Sequence, residues 1–438
     1  MEPVTIIVLI TAIVGFYMAW NIGANDVANS MADAVGSKAI SVKKAVIAAG
    51  LCEFAGAVLV GSHVTDTVRK GIVDPNAIAA IPGMTEGDAA VIMVLGMASA
   101  LLAAAVWLNA ATWIGMPVST THSIVGAVAG FGIVAAGWSV VNWGKMGQIV
   151  ASWLISPVAG GIMAFIIFKI INWTILGRKK PVSAAIKVSP YLVFAIAIVI
   201  TLSILYKGMK HIFAAGKMEF LTGNNSFIVA GIIGVIAAVI SRIIIGRHLR
   251  DKVDLELSAQ LRLVEQVFAP LVVVTSCSVA FAHGANDVAN SVGPLAAVVD
   301  IVSTGTIKMK VAVPTWVLTL GGFGIVMGLA TYGYRVMHTV GTKITEITPS
   351  RGVAADIAAT ITVLICTRMK LPISTTHTLV GAIMGIGLAR GLAGINRKVA
   401  RSIFGAWFIT VPVAAILAII FFLLGKIFLL DFIKEAIS

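Results

Sequence analysis

Two pairs of residues in this chain combine an acid, an amide and small neighbours inside apolar surroundings. Asn25-Asp26 lies in Gly23-Ala24-Asn25-Asp26-Val27-Ala28-Asn29-Ser30, and the same eight residues return as Gly284 to Ser291, with Asn286, Asp287 and Asn290 in the matching places. An ionised Asp costs at least about 3 kcal/mol at a membrane-helix centre. Two such acids in matching positions therefore need a neutralising partner, and a bound cation supplies one. Carboxylate, amide, hydroxyl and main-chain carbonyl oxygens are hard ligands, suited to Na⁺ or H⁺ coupling rather than to a soft metal. The competing use of these residue types is helix capping, with Asn29 or Ser30 at the start of a broken helix. Recurrence in both halves favours function.

A second duplicated motif is rich in hydroxyls. Pro117-Val118-Ser119-Thr120-Thr121-His122 recurs as Pro372-Ile373-Ser374-Thr375-Thr376-His377. Proline favours the first helical turn and Ser or Thr the cap, so each motif reads as a helix N-terminus starting within the membrane. Unpaired N–H groups and the positive end of the helix dipole make an anion site there. Two such starts facing each other, with Ser119, Thr120, Thr121, Ser374, Thr375 and Thr376 as donors, can hold a tetrahedral oxyanion without Arg or Lys. Binding of that kind is weak enough to allow release, unlike an Arg–oxyanion clamp. Polar contact between helices is the plainer use of such hydroxyls. His122 and His377 can donate to the anion or carry a proton, though a buried His more often bonds a carbonyl. Glu53, alone in the apolar Cys52-Glu53-Phe54-Ala55-Gly56-Ala57, is a further candidate for the cation site.

The elements that must position these groups are membrane helices. The chain has 438 residues, 59% of them apolar and only 12% charged, with a mean hydropathy of +1.01; soluble proteins are about 25% charged. Apolar segments are expected near Val4–Trp20, Ala45–Ser62, Ala89–Leu108, Met116–Ala136, Gln148–Trp173, Tyr191–Tyr206, Phe227–Ile245, Val267–His283, Val311–Tyr334, Ala354–Thr367, Ile373–Leu392 and Ser402–Leu430. The first has no preceding Lys or Arg and reads as a span rather than a signal peptide. The segments from Met116 and Ile373 begin polar and Gly-rich, and read either as full spans or as re-entrant hairpins. Arg178–Ser189 and Arg247–Gln266 read as soluble connectors, the latter either an amphipathic surface helix or a solvated linker. Gly126 with Gly130, and Gly381 with Gly385, are small-xxx-small pairs for close helix packing. Cys52, Cys277 and Cys366 read as small packing residues.

The fold class expected is therefore an all-α membrane protein of about 12 transmembrane segments in two inverted repeats, with discontinuous or re-entrant helices at the centre. Its parts are a first repeat over 1–173, connecting segments with two membrane helices and a cytoplasmic linker over 174–266, and a second repeat over 267–438. An odd number of crossings before Val267 inverts the second repeat. The net charge of +13 comes from Lys and Arg clustered between apolar segments, which points to lipid headgroups and topology rather than nucleic acid. The bias favours both termini outside. No GxSxG, HExxH or P-loop occurs, which argues against an enzyme.

The paired motifs at Gly23–Ser30, Gly284–Ser291, Pro117–His122 and Pro372–His377 resemble the inorganic phosphate transporter (PiT) family, over both halves and most of the chain. The resemblance implies Na⁺- or H⁺-coupled phosphate uptake across the cell membrane, with no cofactor. It also implies phosphate at the six hydroxyl residues, sodium at Asn25, Asp26, Asn29, Asn286, Asp287 and Asn290, a transport role for Glu53, and a homodimer. Sodium is favoured as the coupling ion. A proton-coupled phosphate, metal-phosphate or sulfate permease is the alternative, and an anion channel the alternative of another class. Two departures stand out. Asn21-Ile22-Gly23 in the first motif faces Ala282-His283-Gly284 in the second, and Gly322-Phe323-Gly324, which corresponds to the Glu53 region, has no acid.

Overall fold

The computed structural model describes residues 2–61, 72–73, 78, 81, 83–205, 225–308, 311–369 and 373–437. Ser62, Tyr206 and Pro372, which bound or open expected elements, lie outside them.

The first half begins with α1 (Pro3–Ile22), a π-turn (Gly23–Val27), α2 (Ala28–Ser30) and α3 (Ala32–Gly36), which together run as one bulged rod. After it come α4 (Val42–Val60), α5 (Glu86–Trp113), α6 (Thr120–Ala136) and α7 (Trp143–Ile171). Two helices intervene, α8 (Pro181–Ser203) and α9 (Asn225–Leu249). The second half follows with α10 (Leu257–Asp287), α11 (Ala289–Thr304), α12 (Thr315–Tyr332), α13 (Tyr334–His338), α14 (Pro349–Arg368), α15 (Thr375–Ala389), α16 (Arg397–Phe428) and α17 (Leu430–Ile437).

Nine helical stretches among the described residues are long and apolar enough to cross a membrane. The protein is thus an all-helical, multi-span membrane protein. Its lipid side is marked by exposed aliphatic residues such as Ile162 and Ile166 on α7, Ile232 and Ile236 on α9, and Ile420 and Leu424 on α16. In a soluble protein such stripes would be a liability; in hydrocarbon they are the expected surface.

The two halves pack in a crossed, symmetric pattern. Helix α1 lies on α12 while α10 lies on α4, α6 lies on α16 while α15 lies on α7, and α4 meets α12 between them. Within each half, α5 pairs with α6 as α14 pairs with α15. Every such pairing has its counterpart in the other half, so the repeat seen in the motifs extends to whole helices.

The two segments left open between span and hairpin form short returning limbs. Helix α6 runs antiparallel to α5, with Gly96 against the Phe131 ring and Thr112 and Met116 together at the tip, both bonded to Asn25. Helices α6 and α15 have 17 and 15 residues, about 25 and 22 Å long, less than a hydrocarbon core of about 30 Å.

Two connector expectations need correction. Arg178–Ser189 is mostly helix, because Pro181 sits at the first position of α8, where its missing N–H costs nothing. Arg247–Gln266 contains no separate surface helix. It is the end of α9, a short 3₁₀ turn at Arg250–Lys252, and the first turns of α10, which continue unbroken into the span.

The glycine pairs act as expected. A Cβ at Gly126 or Gly130 would overlap backbone of Val411 or Ala415 on α16, and one at Gly381 or Gly385 would overlap backbone of Pro157 or Gly161 on α7. Gly385→Ala should therefore force α15 and α7 apart and cost about 1–3 kcal/mol. A clearly lower melting temperature of the purified protein in detergent is the expected reading, and an unchanged one would contradict the packing.

Candidate functional site

Both hairpin tips and both Asn-Asp motifs come together in the protein interior. Ser119 and Ser374 are the N-caps of α6 and α15, each accepting from the backbone N–H three residues on, at His122 and His377. The expected helix starts therefore exist, and the two serine hydroxyls are already engaged as cap acceptors. The histidines that follow meet edge to face, with ring centroids 4.8 Å apart. His377 stacks on Trp407, and His122 lies tilted against Trp153. Trp407 also donates to the Pro117 carbonyl of the opposite tip at 2.9 Å.

The Asn-Asp motifs lie where each rod is bulged or briefly broken, not at a loop. In the first, the helix passes Gly23–Val27 as a π-turn, a form common at functional sites. In the second, the rod of α10 and α11 breaks only at Val288. Neither Asn29 nor Ser30 caps anything: Val27 occupies the N-cap of α2 with no side-chain bond. The amides are spent across the structure instead. Asn25 donates to the Thr112 hydroxyl and the Met116 carbonyl, both at 2.9 Å, and accepts from the Val118 N–H at 3.0 Å. Asn290 donates to Thr120 and Thr121 of the first half, both at 3.2 Å, and Asn29 donates to Thr376 of the second at 3.5 Å. Asn286 is half-buried and bonds within its own helix, to the Ala282 carbonyl.

The acids gather the hydroxyls. Asp26 accepts from Thr120 Oγ1 at 2.6 Å. Asp287 accepts from Thr121 through Oδ1 and from Thr375 through Oδ2, each at 3.3 Å. One carboxylate thus touches both hairpin tips. Thr121 and Thr375 are half-buried, whereas Thr120, Thr376, Asp26 and Asp287 are buried. A small cavity of about 30 Å³, lined by His283, Thr360 and Thr375 among others, leads towards this point.

Glu53 is fully buried and reaches the cluster through a residue given no role from sequence, His283. The His283 Nδ1 lies 3.1 and 3.3 Å from the two Glu53 oxygens. Its Nε2 lies 2.9 Å from Asp287 Oδ2 and 3.6 Å from Asp26 Oδ2. The ring therefore bridges three acids drawn from α4, α10 and the π-turn. Close approach of α4 and α10 depends on Gly284, where a Cβ would overlap the Glu53 backbone. The signal in the sequence was the departure itself: His283 stands where the first motif has Ile22. Asp26, His283 and Asp287 bring one ligand atom each within 4.8 Å of one another, a set with the reach to hold a metal ion. Thr112, which anchors Asn25, carried no signal in the sequence.

Comparisons with known proteins give the family of the chain. The profile described as the phosphate transporter family matches residues 22–418. The chain is 48% identical over 414 residues to a Thermococcus kodakarensis protein named as a candidate phosphate permease, covering 94% of this chain and 96% of that one. It is 40% identical to the Arabidopsis thaliana inorganic phosphate transporter 2-1, chloroplastic, covering 94% of this chain and 71% of that one. A solved structure described as the sodium-dependent phosphate transporter matches with a TM-score of 0.80 and 39% identity, over 97% of this chain and all of that one.

Proposed function

The chain belongs to the phosphate transporter family, and from that membership we propose that it imports inorganic phosphate by sodium-coupled symport with alternating access. The observation that carries this reading is Asp287, whose two oxygens accept from Thr121 of one hairpin and Thr375 of the other. The two helix starts thus share one point in the interior. Phosphate sits there between the hydroxyls and N–H groups of Thr120, Thr121, Thr375 and Thr376, with Ser119 and Ser374 fixing the two helix ends. Sodium sits against Asp26, Asp287 and Glu53, aided by the amide oxygens of Asn29 and Asn290. Asn25 holds the first tip in place.

Electrostatics then enforces coupling. Three buried acids against one histidine leave the site negative even when the ring is an imidazolium, the only form able to donate from both nitrogens. A phosphate dianion cannot join them at low dielectric without cations. Cations alone leave the anion site unfilled. Full loading is therefore the cheapest state to carry across the bilayer centre.

The protein works in the plasma membrane with both termini outside, as the distribution of Lys and Arg favours. Its repeats over 1–173 and 267–438 are inverted about the central site, and it assembles as a homodimer.

A second reading has its own observation. His283 between Asp26, Glu53 and Asp287 can hold a proton, and its set with the two Asp residues suits a divalent metal. Proton-coupled phosphate or metal-phosphate transport would use the same cluster. Radiolabelled phosphate uptake into proteoliposomes separates these mechanisms. A sodium gradient should drive accumulation above the external concentration, with sulfate unable to compete. Uptake that follows a proton gradient in sodium-free buffer would move the reading to the second mechanism. Equilibration without accumulation would leave a channel.

A further inference from the structure

Helices α8 and α9 carry none of the central groups, yet they frame a feature of their own. Helix α9 packs on α8, and α8 packs on α10. Helix α9 therefore stands off α10, and a groove of about 470 Å³ opens between them, within the range of about 300–1,000 Å³ usual for small-molecule sites. Its apolar stretch includes Val193 of α8 and Ala237 of α9. From Ala237 to His248, both on its wall, the groove follows α9 for about 16 Å at 1.5 Å per residue. In a bilayer such a wall is covered by hydrocarbon chain rather than by water.

The other end of the groove is polar. His248 and Gln266 line it, and both are exposed. Arg262 stands four residues before Gln266 on α10 and Pro270 four after, so the three share one face of the helix. Arg262 is exposed as well. Most acids of this stretch are engaged elsewhere: Glu265 accepts from Ser350, Asp254 pairs with Lys180 at 2.7 Å, and Glu256 accepts from Ser258. Asp251 sits between Arg250 and Lys252 in the turn after α9. The Lys180–Asp254 pair also brings the exposed run Arg178, Lys179 and Lys180 to this membrane face. Pro270 has no N–H, so it cannot bond the Gln266 carbonyl one turn back. A carbonyl at the membrane boundary needs another donor.

We propose that the groove between α9 and α10 binds one anionic phospholipid per chain, with an acyl chain along α9 and the phosphate at the His248 and Arg262 end. Length and apolarity of the wall select the chain, and the surplus of Lys and Arg at the mouth selects the charge of the head. A phosphatidylcholine head would bring its own ammonium among Arg262, Arg250 and Lys252. Basic pockets between membrane helices hold anionic heads for the same reason. A head that carries hydroxyls, as in phosphatidylglycerol, can also donate to the Gln266 carbonyl. No residue of the central cluster takes part, so the binding does not depend on what is transported.

The test uses the purified full-length protein, stripped of lipid in detergent. Bound lipid is counted by native mass spectrometry as phosphatidylglycerol or phosphatidylcholine is added. One phosphatidylglycerol per chain should bind about tenfold or more tightly than phosphatidylcholine, and Arg262→Gln should bring the two within about twofold of each other. Arg262 is exposed, so its loss leaves the fold intact. Ser241→Trp puts an indole into the groove, which Ser241 lines, and should abolish the tight lipid altogether. Equal affinity of the unchanged protein for both lipids would overturn the site and leave ordinary boundary lipid. Tight binding that survives both substitutions would overturn it too. So would displacement of the lipid by inorganic phosphate at matching concentration, the sign of an anion site that needs no chain. Loss of dimers in Ser241→Trp with an unchanged lipid count would give the groove to a second copy of this chain instead.

Discussion

Asp287→Asn should reduce phosphate uptake by about a hundredfold or more, while the protein still reaches the membrane. Both oxygens of Asp287 accept hydrogen bonds from the opposed hairpins or its own helix. Oδ1 takes Thr121 and Asn290, and Oδ2 takes Thr375 and faces His283 Nε2. An Asn keeps one acceptor oxygen, turns an NH₂ towards groups that were donating, and removes the negative charge that faces His283. Breaking a buried charge pair of this kind costs about 3–5 kcal/mol, and every 1.4 kcal/mol is about a factor of ten. The loss should be specific. Thr121→Ser keeps a hydroxyl and should transport with modest change, whereas Thr121→Val should raise the phosphate KM. The informative measurement is the sodium dependence of residual uptake. In Asp287→Asn the apparent sodium affinity should collapse together with the rate. A variant with normal sodium dependence and only a weaker phosphate KM would remove Asp287 from the cation site.

The degree to which the sequence displayed this site follows from what each residue does. Duplicated motifs were visible because both halves keep the same chemistry at the same depth: Asn29 and Asn290 each cross to the opposite hairpin, and Ser119 and Ser374 each cap one. Helix identity and apolarity were equally plain, since a membrane helix needs only length and composition. Three features were hidden. Whether α5 and α6 cross or return depends on where the Met116 turn sits in space, and hydropathy is blind to that. The extent of α10 was hidden because its first turns carry Glu and Arg, which resemble a linker until Gln260 is seen bonding the start of α8. The link between Glu53 and the rest of the centre was hidden because it is asymmetric. A search for repeats finds what the halves share, while Glu53 and His283 are what they do not share: their counterparts are Gly322-Phe323-Gly324 and Ile22. Only packing of α4 on α10 reveals that these two unmatched residues are partners.

That partnership yields the second large effect. His283→Leu should prevent assembly of the native protein, because it leaves Asp26, Asp287 and Glu53 buried together with no basic side chain between them while the site is empty of sodium. Loss of one member of a buried ion pair costs about 3–5 kcal/mol, a large share of the stability of an ordinary domain. The double variant Glu53→Gln with His283→Leu removes one acid with the base. It should regain much of the melting temperature and membrane yield while remaining inactive. A coupling of several kcal/mol in that cycle identifies a direct interaction, whereas simple additivity would mean that the two side chains act separately. His283→Gln is the finer probe. Its amide can donate to one carboxylate but cannot carry a proton between them. Under sodium coupling, His283→Gln should fold, retain sodium-driven uptake at a reduced rate and keep its sodium dependence. Under proton coupling, the same variant should lose gradient-driven accumulation while still binding phosphate. The two mechanisms therefore part at a single residue that the repeat does not contain.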